Sequence, residues 1–215
     1  MGREHGHPLI QLALDQLDLE CAVALVTSTR DFVDIFEVGT PCLKFNGATA
    51  VRRIVEAADG KPILADLKTM DAGEYEAEPF FGLGASICTV LGAASIATIQ
   101  GVMAAANRHG GRVQVDLINV NDKVQLAHEL QAIGVDIIGI HTGIDSQLAG
   151  ESPYEDLRAI RALDLGRTLS VAGGLGPGTV RTARDLGADI IVIGGQITGS
   201  ADPRGAAEAI HQALR

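Results

Sequence analysis

The chain has 215 residues, of which 47 % are hydrophobic and 20 % are charged, a composition typical of an ordinary globular protein. The net charge of −10 and the lack of a Lys/Arg cluster argue against a nucleic-acid-binding face, so we expect no nucleic-acid partner. No apolar run reaches the roughly 18 residues that a membrane-spanning helix needs, so we expect no membrane partner.

Short apolar runs that end in a polar residue or in glycine recur along the chain and predict eight strands. These strands are predicted at 9–14, 34–38, within 62–73, and at 86–91, 112–118, 135–141, 168–172 and 189–193. The segments between them predict helices at about 18–29, 47–58, 94–108, 121–133, 153–163 and 178–186. A last helix begins after Asp202-Pro203, where Asp202 is the expected N-cap. Pro79 predicts that the third helix either begins late or is kinked.

Eight strand–helix units in 215 residues, at about 27 residues each, predict a single (β/α)8 barrel domain spanning residues 1–215. Glycines at the predicted helix ends, Gly84, Gly134 and Gly187, each stand directly before a strand and support this pattern. An open, doubly wound sheet is the alternative, but eight units without a break favour a closed barrel.

The stretch PILADLKTMDAG (62–73) is the centre of the functional prediction. Residues two apart in a strand point to the same face, so Asp66 and Lys68 share one face at the end of a buried strand. Burying two opposite charges costs several kcal/mol unless they are paired or bind a ligand, which favours a functional role. Asp71 has a simpler interpretation, because with Glu74 it forms an Asp-x-x-Glu helix-capping pattern.

The carboxyl ends of barrel strands form the usual functional face, and several predicted strands end in a charged residue. Asp15, Glu37 and Asp66 end the first three strands, and three adjacent carboxylates cannot all be ionised without a cation. Lys68 is one candidate for that cation, and Mg2+ is another. Each carboxylate could instead cap the next helix; for Asp15 both interpretations stay open. For Glu37 capping is weaker, because residues 39–41 offer no immediate helix start.

Two further polar strand ends, Asp116 and His141, complete this face. His141 follows an apolar run across the barrel from the acidic cluster. It is either a general acid–base or a polar residue that is merely hydrogen-bonded. Asp116 either orients a substrate hydroxyl or bonds the neighbouring loop, and the sequence leaves both open.

Glycine pairs follow the last two strands, Gly173-Gly174 and Gly194-Gly195. Bare backbone N–H groups at these strands can bind phosphate, although tight turns alone would also require glycine. The run GGLGPG does not match the dinucleotide-binding pattern.

Several of these segments carry a family resemblance. ADLKTMDAG is similar to the D-x-K-x-x-D signature of the orotidine 5'-monophosphate decarboxylase suprafamily. Within this suprafamily, the chain resembles the 3-hexulose-6-phosphate synthases. The resemblance extends in order along nearly the whole chain, in the segments QLALD, FEVGTP, TVLGAA, VQVDLINV, HTGID, VAGG and IVIGGQITGSADP.

This resemblance implies a (β/α)8 barrel that forms a homodimer with active sites near the interface. It implies that Glu37 and Asp66 bind Mg2+, that His141 is the acid–base residue, and that Asp71 reaches the partner's site. The remaining implied site residues are Asp15, Lys68 and Asp116 together with the phosphate-binding Gly173, Gly174, Gly194 and Gly195.

The implied reaction is a reversible aldol condensation of formaldehyde with D-ribulose 5-phosphate, through a Mg-stabilised enediolate, to D-arabino-hex-3-ulose 6-phosphate. The alternative is 3-keto-L-gulonate 6-phosphate decarboxylase. That family carries Arg where this chain has Ile144, usually Glu where it has Asp116, and often Arg where it has Gln196. A non-catalytic phosphosugar-binding barrel is a third possibility, which the intact acidic cluster disfavours.

The expected location is the cytoplasm. The three cysteines, Cys21, Cys42 and Cys88, are widely spaced, which is typical of reduced thiols. The polar N-terminus MGREHGH predicts no signal peptide.

Overall fold

Eight parallel strands close into a barrel in which each strand pairs with the next and β8 pairs with β1, which confirms the predicted (β/α)8 fold. The computed structural model describes residues 6–215. The first five residues of the polar N-terminus, on which the signal-peptide prediction depends, lie outside the described residues. The strands are β1 (Leu9–Leu14), β2 (Ile35–Val38), β3 (Ile63–Thr69), β4 (Ile87–Leu91), β5 (Arg112–Asp116), β6 (Ile137–His141), β7 (Thr168–Ala172) and β8 (Ile190–Ile193).

Helices surround the barrel, and three short ones were not predicted. The helices are α1 (Leu19–Thr29), α2 (Thr40–Asn46), α3 (Ala48–Ala57), α4 (Gly73–Gly82), α5 (Ile96–His109), α6 (Lys123–Ile133), α7 (Ile144–Leu148), α8 (Tyr154–Ala162), α9 (Val180–Asp185), α10 (Gly195–Thr198) and α11 (Pro203–Leu214). The short helices α2, α7 and α10 follow β2, β6 and β8 on the functional face. The expectation that no helix starts after Glu37 is therefore wrong, since α2 begins at Thr40 with Pro41 in its first turn.

The predicted helix ends are present. Gly84, Gly134 and Gly187 have φ values of 101°, 86° and 93°, a left-handed conformation that glycine adopts without strain. Asp202 caps α11 by accepting a hydrogen bond from the Gly205 N–H at 2.9 Å. Pro79 lies inside α4, which begins at Gly73, so of the two predicted alternatives, a late start or a kink, the late start is wrong.

The interior of the barrel consists of layers of inward-pointing side chains, because alternate residues of each strand face inward. The layer at the starts of the strands is apolar and forms a hydrophobic cluster of its own: Leu9, Ile35, Leu64, Ile87, Ile137 and Ile190. Two residues further along β1 to β4, the inward positions are polar: Gln11, Glu37, Asp66 and Thr89. Gln114 and Ser170, which pair with Ile137 and Ile190, add two more polar side chains. The apolar layer therefore closes the barrel below a polar interior, and chemistry is confined to the other end.

No helix within residues 6–215 has the length and apolar character needed to cross a membrane.

Candidate active site

A cavity of about 810 Å³ opens at the carboxyl ends of the strands. Ten of the eleven predicted site residues line it: Asp15, Glu37, Asp66, Lys68, Asp116, His141, Gly173, Gly174, Gly194 and Gly195. The exception is Asp71, which is exposed in the connection between β3 and α4. Its interpretation as a helix cap is wrong, because Ala72 occupies the N-cap of α4 and no side chain caps that helix.

Lys68 joins two carboxylates from different strands. Its Nζ lies 2.9 Å from Asp66 Oδ2 and 2.9 Å from Asp116 Oδ2. The Lys68 backbone has a φ of 47°, which is uncommon for a residue with a side chain, and it lies where the pairing of β3 with β4 shifts register. The Lys68 N–H donates to Thr89 Oγ1 at 2.9 Å, which fixes this irregular turn of the strand. The predicted pairing of Asp66 with Lys68 is thus present and extends to β5.

Two threonine hydroxyls hold Asp66 in place. Thr40 Oγ1 donates to Asp66 Oδ2 at 2.6 Å, and Thr89 Oγ1 donates to Asp66 Oδ1 at 2.8 Å. Both carboxylate oxygens therefore accept hydrogen bonds from neighbouring elements as well as from Lys68. Neither threonine was predicted, because threonine is common in strands and its contacts depend on the pairing of the strands.

Asp116 connects Lys68 to His141. Its Oδ2 also accepts from His141 Nδ1 at 2.9 Å, and its Oδ1 accepts from the Ile118 N–H at 2.9 Å. Burial alone would raise the pKa of Asp116, but the hydrogen bond from His141 and the positive charges of His141 and Lys68 lower it to about 2. Asp116 therefore bonds its neighbouring loop, one of the two predicted interpretations, and also links two candidate catalytic groups.

The contact with Asp116 decides which nitrogen of His141 is available for chemistry. An ionised carboxylate only accepts hydrogen bonds, so the Nδ1 that contacts it carries the proton. Whenever the ring is neutral, Nε2 holds the lone pair, and within residues 6–215 it has no hydrogen-bond partner. His141 lines the cavity and is consequently arranged as a proton acceptor.

Glu37 and Asp15 share the acidic side of the cavity with Asp66. Burial and the negative charge of Asp66 raise the pKa of Glu37 to about 8, and the same two causes raise the pKa of Asp15. The prediction that three carboxylates cannot all be ionised together agrees with these shifts. The capping interpretation of Asp15 is wrong, because Asp18 caps α1 by accepting from the N–H of Glu20.

The position of Asp15 depends on glycine. A Cβ atom at Gly39 would overlap the Asp15 carboxylate, whereas one at Gly194 would lie at an ordinary contact distance of 3.8 Å from Asp15 Oδ2. Asp15 therefore lies between the acidic side of the cavity and its glycine-lined side.

The donor atoms of Glu37 and Asp66 suit Mg2+. Within residues 6–215 no group of three or more His, Cys, Asp or Glu residues is arranged to hold a metal ion. Mg2+ is commonly held by one or two carboxylates together with water and substrate oxygens. The pKa of Glu37 is raised first by burial and then by the negative charge of Asp66, and a cation would offset the second of these causes. Glu37 Oε2 accepts from Gln11 at 2.6 Å, whereas no hydrogen bond within 6–215 uses Oε1. Glu37 Oε1 is therefore open to a cation, whereas both Asp66 oxygens already accept hydrogen bonds, so Mg2+ at Asp66 would have to replace one of those bonds.

The glycine pairs expose backbone donors to the opposite side of the cavity. Within residues 6–215, the N–H groups of Gly173, Gly174 and Gly194 donate to no protein acceptor. A side chain at Gly173 would collide with Thr142, so the backbone of the β7 loop is closely packed and preformed. Unused N–H groups in a fixed loop are the donors that a phosphate group requires.

The comparison with known proteins assigns the family. Residues 8–210 match the Orotidine 5'-phosphate decarboxylase / HUMPS family. The chain belongs to this family. It is 50 % identical to the 3-hexulose-6-phosphate synthase of Methylomonas aminofaciens, over 94 % of this chain and 97 % of that relative.

Solved structures of the family have the same barrel. A 3-hexulose-6-phosphate synthase from Salmonella typhimurium superposes with a TM-score of 0.91 at 41 % identity, covering 96 % of this chain and 98 % of that one. A 3-keto-L-gulonate-6-phosphate decarboxylase from Vibrio cholerae O1 biovar El Tor superposes with a TM-score of 0.86 at 29 % identity, covering 97 % of both chains. The predicted resemblance is confirmed, and with it the prediction that this member of the Orotidine 5'-phosphate decarboxylase / HUMPS family is a lyase.

The Glu37 carboxyl makes the stability of this family member dependent on pH. Because its pKa is raised to about 8, the folded state keeps a proton that the unfolded chain loses near its ordinary value of 4.5. The free energy of unfolding therefore falls as the pH rises from about 4.5 to about 8, and this contribution is constant above that range. Replacing Glu37 with Gln should leave the melting temperature unchanged near about pH 4 and raise it near about pH 9 in the absence of divalent cations.

Glu56→Gln is the matched control, because Glu56 is exposed on α3. Its melting temperature is expected to equal that of the unsubstituted protein at both pH values. If Glu37→Gln also followed the unsubstituted protein at alkaline pH, Glu37 would not be held protonated in the folded state.

Proposed function

We propose that this protein catalyses the reversible aldol condensation of formaldehyde with D-ribulose 5-phosphate, giving D-arabino-hex-3-ulose 6-phosphate. The network in which Asp116 joins Lys68 to His141, facing free glycine N–H groups across one cavity, carries this proposal. It supplies a proton acceptor, a fixed positive charge and an anion site, which are the groups that enediolate chemistry on a phosphosugar needs. The names of the similar synthases support the same reaction.

The sugar phosphate is proposed to lie across the cavity. Its phosphate binds the N–H groups of Gly173, Gly174, Gly194 and Gly195, and its oxygens extend past Asp15 towards the acidic side. Glu37 and Asp66 would hold Mg2+. The ion, when bound, would polarise sugar oxygens and stabilise negative charge on them.

His141 is proposed to take the proton from C1 of ribulose 5-phosphate through Nε2. The imidazolium that forms is stabilised by Asp116, which stays ionised because its pKa is about 2. Lys68 stabilises the negative charge of the resulting enediolate. Burial would lower the pKa of Lys68, but Asp66 and Asp116 together raise it above its ordinary value. Lys68 is therefore a permanent cation and not a Schiff-base nucleophile, and borohydride should trap no adduct on it.

Ile144 favours condensation over decarboxylation. It is the first residue of α7, it lines the cavity, and 71 % of the residue is exposed. The decarboxylase resemblance would place an Arg here to contact a sugar acid, and an apolar side chain offers no charge to a carboxylate substrate.

Asp71 is proposed to act in the site of a second subunit of a homodimer. It is exposed outside the cavity, so it has no role in its own subunit's site. The neighbouring Met70 and Tyr75 are apolar and exposed, which is typical of a surface covered by another chain. The cytoplasmic location stays a prediction.

The direct test is the consumption of formaldehyde by the purified protein with ribulose 5-phosphate, in the presence of Mg2+ or of EDTA. We expect rapid loss of formaldehyde that requires the sugar and stops in EDTA. No loss of formaldehyde, combined with CO2 release from 3-keto-L-gulonate 6-phosphate, would replace this proposal with the decarboxylase.

A further inference from the structure

Gln114 is a buried polar residue that the proposed mechanism does not use. It lies on β5, only 8 % of it is exposed, and it lines the cavity. Its Nε2 makes no hydrogen bond within residues 6–215 and is the carboxamide atom that can donate to a ligand; its fully buried Oε1 has no partner there either. Buried amides are normally paired because an unpaired one loses its bonds to water, so this carboxamide requires a functional explanation.

The backbone around Gln114 leaves room for its carboxamide. A Cβ at Gly139, on the adjacent β6, would lie 3.0 Å from Gln114 Nε2, so the amide lies directly over that glycine. Ser170 pairs with Gly139 from the other side, on β7. Ser170 is 1 % exposed and lines the cavity, and its hydroxyl makes no hydrogen bond within the described part of the chain. Two polar groups without hydrogen-bond partners, those of Gln114 and Ser170, therefore lie on either side of Gly139, which has no side chain.

These three residues form a floor beneath the catalytic pair. Asp116 and His141 follow Gln114 and Gly139 by two positions on the same strands, so they face inward one layer above. The floor carries no charge, in contrast to the acidic side and the phosphate side of the cavity. A small, neutral molecule with one hydrogen-bonding oxygen is the ligand that fits this chemistry.

We infer that Gln114 and Ser170 bind the one-carbon aldehyde and donate hydrogen bonds to its carbonyl oxygen. This inference rests on the proposed function. C1 of the enediolate forms a bond to the aldehyde carbon, and the electron pair of the carbonyl π bond moves to its oxygen, where the two donors stabilise the charge. That oxygen then takes the proton that His141 removed from C1. No further reactant is needed.

The test separates aldehyde binding from sugar activation. Gln114→Met and Ser170→Ala remove the two polar groups with little change of shape, and Gln125→Met on the exposed face of α6 is the matched control. Exchange of the C1 proton of ribulose 5-phosphate in D2O, without formaldehyde, reports on His141 and Lys68 alone. We expect kcat/KM for formaldehyde to fall about tenfold in each floor variant, because each variant loses one hydrogen bond. The rate of C1 exchange and the KM for ribulose 5-phosphate should stay unchanged.

Two results would overturn the inference. An unchanged kcat/KM for formaldehyde in either folded floor variant would show that the floor does not bind the aldehyde. An equal fall in C1 exchange and in condensation would show that these residues act on the sugar. Failure of the proposed function gives a different result, since the unsubstituted protein itself would then consume no formaldehyde.

Discussion

Replacing His141 with Gln is expected to slow both C1 proton exchange and condensation by about 10³-fold, within the range of a lost general base. Glutamine can still donate a hydrogen bond to Asp116, so the network that holds Lys68 survives, but it cannot accept a proton at neutral pH. The KM for ribulose 5-phosphate should change little, because the phosphate is proposed to bind to the glycine N–H groups and not to His141. Steady-state kinetics and NMR-monitored exchange in D2O measure both effects.

His128→Gln is the matched control, since His128 is exposed on α6 and lies outside the cavity. It should leave both rates unchanged. A His141→Gln variant that kept more than about a tenth of the exchange rate would show that another group removes the proton.

Replacing Lys68 with Met should reduce both activity and stability. Asp66 and Asp116 have side chains that are only 7 % and 4 % exposed, and the substitution leaves both without their shared cation. Breaking such a buried pair costs about 3 kcal/mol, which for a chain of this size lowers the melting temperature by roughly 6–12 °C. We expect kcat to fall by about 10²–10³-fold, because the enediolate loses its nearest positive charge.

A second substitution separates the two effects. Lys68→Met combined with Asp116→Asn removes one of the unpaired charges, so it should regain part of the melting temperature while activity stays low. Lys123→Met breaks a surface pair with Asp156 and should cost less than about 1 kcal/mol. If Lys68→Met melted at the same temperature as the unsubstituted protein, Lys68 would not balance the buried carboxylates.

The barrel could be predicted because its signals are local and repeat along the chain. A buried strand followed by a helix recurs eight times, and glycines such as Gly84, Gly134 and Gly187 follow several of the helices; each unit can be recognised within about 27 residues. The charged strand ends could also be placed, because parallel strands in one barrel bring their carboxyl ends to one face.

The remaining features of the site could not be predicted, because they depend on contacts between elements that are distant in the sequence. Thr40 and Thr89 hold Asp66 only because α2 and β4 are adjacent to β3, and neither has a distinctive sequence signal. The left-handed backbone of Lys68 follows from a register shift that a regular pattern does not predict. The helices α2, α7 and α10 have four to seven residues, too few for a helical period to be visible.

The apolar layer at the starts of the strands limits how reactants can enter and leave the cavity. It consists of Leu9, Ile35, Leu64, Ile87, Ile137 and Ile190. Because this layer closes the starts of the strands, a molecule on the Gln114–Ser170 floor arrives through the mouth that the sugar phosphate also uses. If the floor binds the aldehyde as inferred, a sugar bound first would block the path of the aldehyde, and an excess of ribulose 5-phosphate would slow condensation. In the reverse direction the aldehyde would form underneath the sugar and leave after it. The reactive one-carbon compound would then stay out of bulk water until its co-product had left.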